Sequence, residues 1–203
     1  AELVRHVGAA GRHVHERLVA LVAVAVEQTA AYFRQYPKEK EGRPPHFLWN
    51  AKMRFGKTFT SYQLALEMGW TKVLVLTFKP AVQDSWRTDL RTHADFTDWQ
   101  FIGKGDSFDD IDESKPYIWF ASFQDVLGRA ADGTIKSRLE AMHLTDWDCV
   151  VLDEYHFGSW RETARDLYDS EPSEKKEEDE AQDRFDEEVL EEKLALDVDN
   201  YLY

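Results

Sequence analysis

Residues 51 to 58 read Ala51-Lys-Met-Arg-Phe-Gly-Lys-Thr58, a loop whose composition suits a phosphate. Backbone N–H groups of such a loop, with the N-terminus of a following helix, cradle phosphate oxygens because unpaired amides and the helix dipole both favour negative charge. In that arrangement Gly56 permits close backbone approach, Lys57 meets the outer phosphates and Thr58 offers its hydroxyl to Mg²⁺. The spacing fits the Walker A pattern with Ala51 in place of the first glycine, and alanine is small enough to keep the turn. Arg54 and Phe55 complete the loop. Arg54 either faces a phosphate or pairs with a carboxylate, since its charge so close to Lys57 is otherwise repulsive. The plain alternative is a strand-to-helix turn with a surface lysine.

A second constellation follows 96 residues after Lys57, where Val150-Val-Leu-Asp-Glu-Tyr-His156 forms an apolar run ending in adjacent carboxylates. Ligands of open α/β sheets sit at the carboxyl ends of strands. Asp153 would hold Mg²⁺ there, directly or through water, and Glu154 would polarise an attacking water. His156 would sense the γ-phosphate. Asp-Glu alone reads equally well as the polar end of a strand, but its order and distance from Lys57 argue against coincidence. The catalytic candidates are therefore Lys57, Asp153 and Glu154, with ATP and Mg²⁺ as cofactors. Ala51, Arg54, Phe55, Gly56, Lys57, Thr58 and His156 are the nucleotide contacts, and Thr58 and Asp153 the metal ligands.

These residues need a strand before each motif and a helix after the first. His46 to Asn50 has the length of a buried strand, and Leu64, Leu66 and Met68 carry a helical pattern to Gly69. Lys72 to Thr77, Tyr117 to Ala121 and Trp147 to Leu152 are further apolar strands. Helices are expected over Ala81 to Thr92 and Asp125 to Met142, and upstream from about Val14 to Tyr36, ending before Pro37. Strands alternating with helices predict an α/β fold with a mostly parallel sheet covered on both faces. The expected organisation is a helical preamble and loop over 1–45, an ATP-binding domain over 46–168, an acidic insertion over 169–199, solvated helix or disordered, and the start of a strand over 200–203.

The formal charge of −14 would argue against a nucleic-acid partner if it were spread evenly. It is not: 15 acidic and 4 basic residues between Asp169 and Asp199 hold −11 of it, leaving the rest of the chain at −3. The single Cys149 excludes an internal disulfide, and no apolar run approaches the roughly 20 residues of a bilayer span, so a cytoplasmic protein without a membrane partner is expected. Trp49, Trp86, Trp119 and Trp147 fall in expected core elements, which leaves Trp160 near a groove. His6, His13 and His15 lack accompanying cysteines and a shared helical face, so no zinc site is expected.

With both motifs in view, Ala51 to Thr58 resembles motif I, and Asp153-Glu-Tyr-His156 the DExH form of motif II, of superfamily 2 helicases. Thr77-Phe-Lys-Pro-Ala-Val82 resembles motif Ia, and Ala121-Ser-Phe-Gln124 resembles the Thr-Ser-x-Gln element that precedes motif II. The resemblance covers about residues 46 to 160. Its wording around Trp49 to Thr58 and Asp153 to Trp160 looks most like helicase-like motor proteins of bacterial restriction and phage-defence systems, related to type III restriction enzymes.

The resemblance implies a P-loop NTPase (RecA-like) fold and an ATPase, the first RecA-like domain of an ATP-dependent DNA helicase or translocase. Its implied partners are double-stranded DNA, a second RecA-like domain of the same full-length chain, and a nuclease or methyltransferase subunit. Lys79 and Pro80 of motif Ia, with Ser122 and Gln124, become nucleic-acid contacts on this reading; otherwise they are polar loop residues. Upstream, Gln28 and Gln35 are candidates for the glutamine that reads adenine in the family. Motif III and the arginine finger are missing from these residues, so the piece is expected to bind nucleotide and hydrolyse it slowly. The alternative from another class is a non-motor P-loop protein, such as a small-molecule kinase or a nucleotide-gated switch.

Overall fold

The computed structural model describes residues 9–39, 42–50, 55–127, 139–153, 194 and 196–203. Three apolar runs form its centre: β2 (Lys72–Thr77), β4 (Tyr117–Ser122) and β6 (Cys149–Asp153). Their side chains alternate between two apolar layers, with Leu74, Leu76, Trp119, Val150 and Leu152 in one and Val73, Val75, Phe120, Cys149 and Val151 in the other. Burial on both faces explains why these strands read as continuous hydrophobic runs.

The sheet has six strands in the order β1-β8-β6-β2-β4-β3, with β1 at His46–Phe47, β3 at Gln100–Ile102 and β8 at Tyr201–Leu202. Every pairing is parallel. The carboxyl ends of all six strands therefore lie along one edge. A separate parallel pair joins β5 (Asp146–Trp147) to β7 (Asp197–Val198). On one face lie α1 (Ala9–Gln35), α2 (Lys57–Met68) and α3 (Gln83–Thr92), which contribute Phe33, Tyr62, Leu64, Trp86 and Leu90 to the core. Opposite them, α4 (Phe123–Leu127) and α5 (Glu140–Leu144) add Phe123, Val126 and Met142. The expected α/β fold with a parallel sheet between helices is thus observed.

Local expectations needed adjustment. The run from His46 to Asn50 supplies only a two-residue strand, because β1 pairs on one side only, with β8. Pro80–Val82 is a 3₁₀ turn before α3, as expected where proline lacks the N–H that an α-helix interior needs. Trp147 belongs to β5 and the strand proper starts at Cys149. The single helix expected over Asp125 to Met142 is described only at its two ends, as α4 and α5, residues 128–138 lying outside the described set. The gap between β5 and β6 is used: the Asp148 carboxylate accepts from the backbone N–H of Thr71 (2.7 Å) and Lys72 (2.9 Å), fixing the start of β2.

Candidate functional site

Gly56 stands immediately before α2 with φ +90°, a left-handed conformation that L side chains enter at a cost, and this reverses the chain into the helix. A Cβ there would meet nothing within 4 Å, so the backbone angle, not a close contact, calls for glycine. The Gly56 carbonyl accepts from both the N–H and the hydroxyl of Thr60 (2.9 Å each), which pins the first turn. Lys57 and Thr58 thus occupy the opening turn of a twelve-residue helix, where unpaired amides and the dipole favour an anion. Phe55 is half-buried against Trp49, ring centroids 6.3 Å apart.

From that turn the Lys57 side chain reaches the carboxyl end of β6. Its ammonium lies 3.5 Å from Asp153 Oδ1 and donates to the Leu152 carbonyl at 3.3 Å. The residues 96 positions apart in sequence are therefore neighbours in space. Asp153 is only 9 % exposed, and a buried carboxylate without partners would cost several kcal/mol. Two groups offset that cost: Lys57 on Oδ1, and on Oδ2 the indole N–H of Trp86, donating at 3.1 Å. The register sets Thr77 of β2 opposite both Asp153 and Ser122, so three buried polar side chains form a row across adjacent strand ends.

The donor set suits a hard cation beside a phosphate. Asp153 and the Thr58 hydroxyl are oxygen ligands of the kind Mg²⁺ takes, and Lys57 supplies a point charge for phosphate oxygens. Ala51 and Arg54 in the loop, and Glu154, His156 and Trp160 after β6, lie outside the described residues. Among the described residues no cluster of three or more His, Cys, Asp or Glu is poised to hold a metal unaided, so a cation here would share its shell with ligand oxygens and water.

The residues expected to touch nucleic acid gather farther along the same edge. Pro80 and Ser122 line a cavity of about 150 Å³, together with Gln83, Asp84, Lys104, Trp119 and Asp125. Lys79 and Gln124 are exposed beside it, outside its lining. Ser122 also has a structural duty: its hydroxyl accepts from the Asp125 N–H (3.1 Å) and donates to the Asp125 carboxylate (2.9 Å), closing the start of α4. Thr77 and Trp86 are the members of the site that sequence reasoning missed as site residues. Trp86 was expected in the core, where it is, 1 % exposed; its partner Asp153 is 67 residues away and carries no local signal.

No known family profile matches the chain. Over 146 residues, 68 % of its length, it is 39 % identical to a Mycoplasma pneumoniae (strain ATCC 29342 / M129) protein provisionally named as the C-terminus of a type II restriction enzyme and methyltransferase, RM.MpnORF110P. The chain spans about a fifth of that relative, 19 % of its length. This corrects the expectation of an ATP-dependent DNA helicase or translocase, and with it the ATPase, ATP-binding and DExH-box assignments: the relative is named a restriction enzyme and methyltransferase, not a helicase. The physical reason for the misreading is that a lysine at a helix N-terminus and a carboxylate at a strand end are local devices for holding phosphate and metal, and neither encodes movement along DNA. What stands of the expectation is a likeness to a restriction-system protein.

Proposed function

We propose that this chain is a P-loop-type phosphate-binding module of a DNA restriction–modification protein. The observation that carries the proposal is the Lys57–Asp153 pair, 3.5 Å apart, set between the left-handed Gly56 turn and the carboxyl end of a central parallel strand. A cation and a buried carboxylate at the mouth of a helix N-terminus form a socket for a phosphate with its Mg²⁺. A triphosphate with Mg²⁺ is the first ligand to try. In this role Lys57 binds phosphate oxygens, Thr58 and Asp153 hold Mg²⁺, and Gly56 shapes the turn; Ala51, Arg54, Phe55, Glu154 and His156 complete the proposed surroundings.

Double-stranded DNA is the proposed macromolecular partner, with Lys79, Pro80, Ser122 and Gln124 as its contacts and the nuclease or methyltransferase parts of a longer protein as neighbours. Support comes from the relative's name and from the gathering of Pro80 and Ser122 at one cavity on the carboxyl edge. The test is a calorimetric titration of the 203-residue chain with Mg²⁺ and a non-hydrolysable ATP analogue, inorganic triphosphate, or a short duplex, in separate arms. Binding of a triphosphate that Lys57→Ala weakens at least tenfold, with unchanged circular dichroism, supports the socket. Equal affinity in wild type and Lys57→Ala rejects it, and a Lys57-dependent response to duplex alone would reassign the phosphate to DNA.

A further inference from the structure

Asp153 is gripped from two sides by groups of different kinds. Lys57 faces Oδ1 with a charge, whereas Trp86 faces Oδ2 with an uncharged donor. Two other described tryptophans satisfy their indoles more cheaply: Trp147 donates to the Met142 carbonyl at 3.0 Å and Trp49 to the Thr29 hydroxyl at 2.8 Å. A neutral partner spares the protein the desolvation of a carboxylate, so pairing Trp86 with a buried aspartate demands another reason. Trp86 is itself held from α2, where the Tyr62 hydroxyl donates to its carbonyl at 2.8 Å and the Tyr62 ring stands edge-on to the indole, centroids 5.4 Å apart at 83°. Lys57 and Tyr62 share α2, so the contacts close a loop running Lys57, Asp153, Trp86, Tyr62 and back to the helix.

We propose that Trp86 is a positioning residue that reserves Asp153 Oδ2, so the carboxylate meets a cation through Oδ1 alone and the site selects Mg²⁺ over Ca²⁺. The inference rests on the Mg²⁺ and phosphate reading of the site. An indole N–H can only donate, and it adds no charge, so what it contributes is direction. Oδ1 faces the Lys57 ammonium at 3.5 Å without a hydrogen bond, and one such oxygen suits the small, strictly octahedral Mg²⁺, which binds through one or two carboxylates and keeps several waters. Ca²⁺ accepts more oxygens and readily takes both atoms of a carboxylate. Occupying Oδ2 therefore removes the bidentate mode from which Ca²⁺ would gain most.

The test measures triphosphate affinity of the 203-residue chain in Mg²⁺ and in Ca²⁺ for wild type, Trp86→Phe and Trp86→His. Phenylalanine removes the donor and keeps an aromatic ring; histidine restores a ring N–H. We expect Trp86→Phe to lower the Mg²⁺-over-Ca²⁺ preference by about tenfold, the usual reach of a group bonded to a metal ligand, and Trp86→His to recover part of it. A second readout needs neither a metal nor a change at Trp86: the indole ¹H–¹⁵N resonance of Trp86 should move upfield in Asp153→Asn, where the acceptor loses its charge. Wild type binding in Mg²⁺ with an unchanged ion ratio in a folded Trp86→Phe overturns this inference and leaves the site reading intact. An indole resonance indifferent to Asp153→Asn overturns it as well. Wild type that binds triphosphate in neither ion rejects the site reading and this inference together.

Discussion

Asp153 is largely buried, 12 % of its side chain being accessible against 27 % for Lys57, so deleting the ammonium leaves that carboxylate with the Trp86 indole as its remaining described partner. Lys57→Met should lower the unfolding free energy by about 2–3 kcal/mol in a denaturant titration while abolishing triphosphate binding in the folded variant. No loss at all would mean that water, and not Lys57, satisfies Asp153. Cys149 is the opposite case, a nucleophile placed out of reach: burial pushes its thiol well above the ordinary range. It should resist a disulfide reagent at about pH 8 in the native protein and react fully in denaturant, because the thiolate is the reactive form. Labelling of the native chain at the rate of an exposed thiol would contradict the buried position in β6. At this scale the order of the two runs anticipated that Lys57 and Asp153 face one another, and they stand 3.5 Å apart. It did not reveal Trp86, because an indole reads as core in any apolar pattern and only the fold brings Asp153 to it.

Among the elements, α2 connects the site to the core. Gly69 ends it in the left-handed conformation (φ +70°), and the N–H groups of Gly69 and Trp70 return to the Leu66 and Ala65 carbonyls at 3.1 and 2.9 Å. Gly69→Ala forces a Cβ into that conformation and should cost about 1–2 kcal/mol by denaturant unfolding, with ligand affinity unchanged. On β2, Leu76 is fully buried, and Leu76→Ala should cost about 2–5 kcal/mol. A milder loss would mean that the strand is less central than the pairing implies. β2, β4 and β6 were readable because burial on both faces leaves continuous apolar runs. β3 was missed, since Gln100–Ile102 at the sheet edge is too short to register as a run. The short β5 and β7 were equally hidden, as two-residue strands owe their existence to tertiary pairing, not to pattern.

For the whole molecule, parallel connectivity matters most: it collects Gly56, Asp153, Thr77, Ser122 and Pro80 at one edge, although they span about half the chain. The fold class was legible from the alternation of runs; of the biological setting, only a likeness to a restriction-system protein was legible, because local phosphate chemistry is shared by proteins with unrelated tasks. Among the described residues no helix is long and apolar enough to cross a membrane. If the carboxyl edge meets duplex DNA, Lys79→Ala should weaken binding at low salt uniformly across sequences and lower the slope of log affinity against log salt by about one. An unchanged slope would remove Lys79 from the interface. The central claim, a phosphate and cation socket at Lys57 and Asp153, has a competitor in the acidic stretch between Asp169 and Asp199, which could attract divalent ions without any socket. The most direct measurement is paramagnetic broadening by Mn²⁺, added in place of Mg²⁺ with inorganic triphosphate and followed in the ¹H–¹⁵N spectrum. The socket predicts early broadening at Gly56, Lys57, Thr58, Asp153 and the Trp86 indole, relieved in Asp153→Asn. Broadening confined to residues 169–199 and indifferent to that substitution would contradict it.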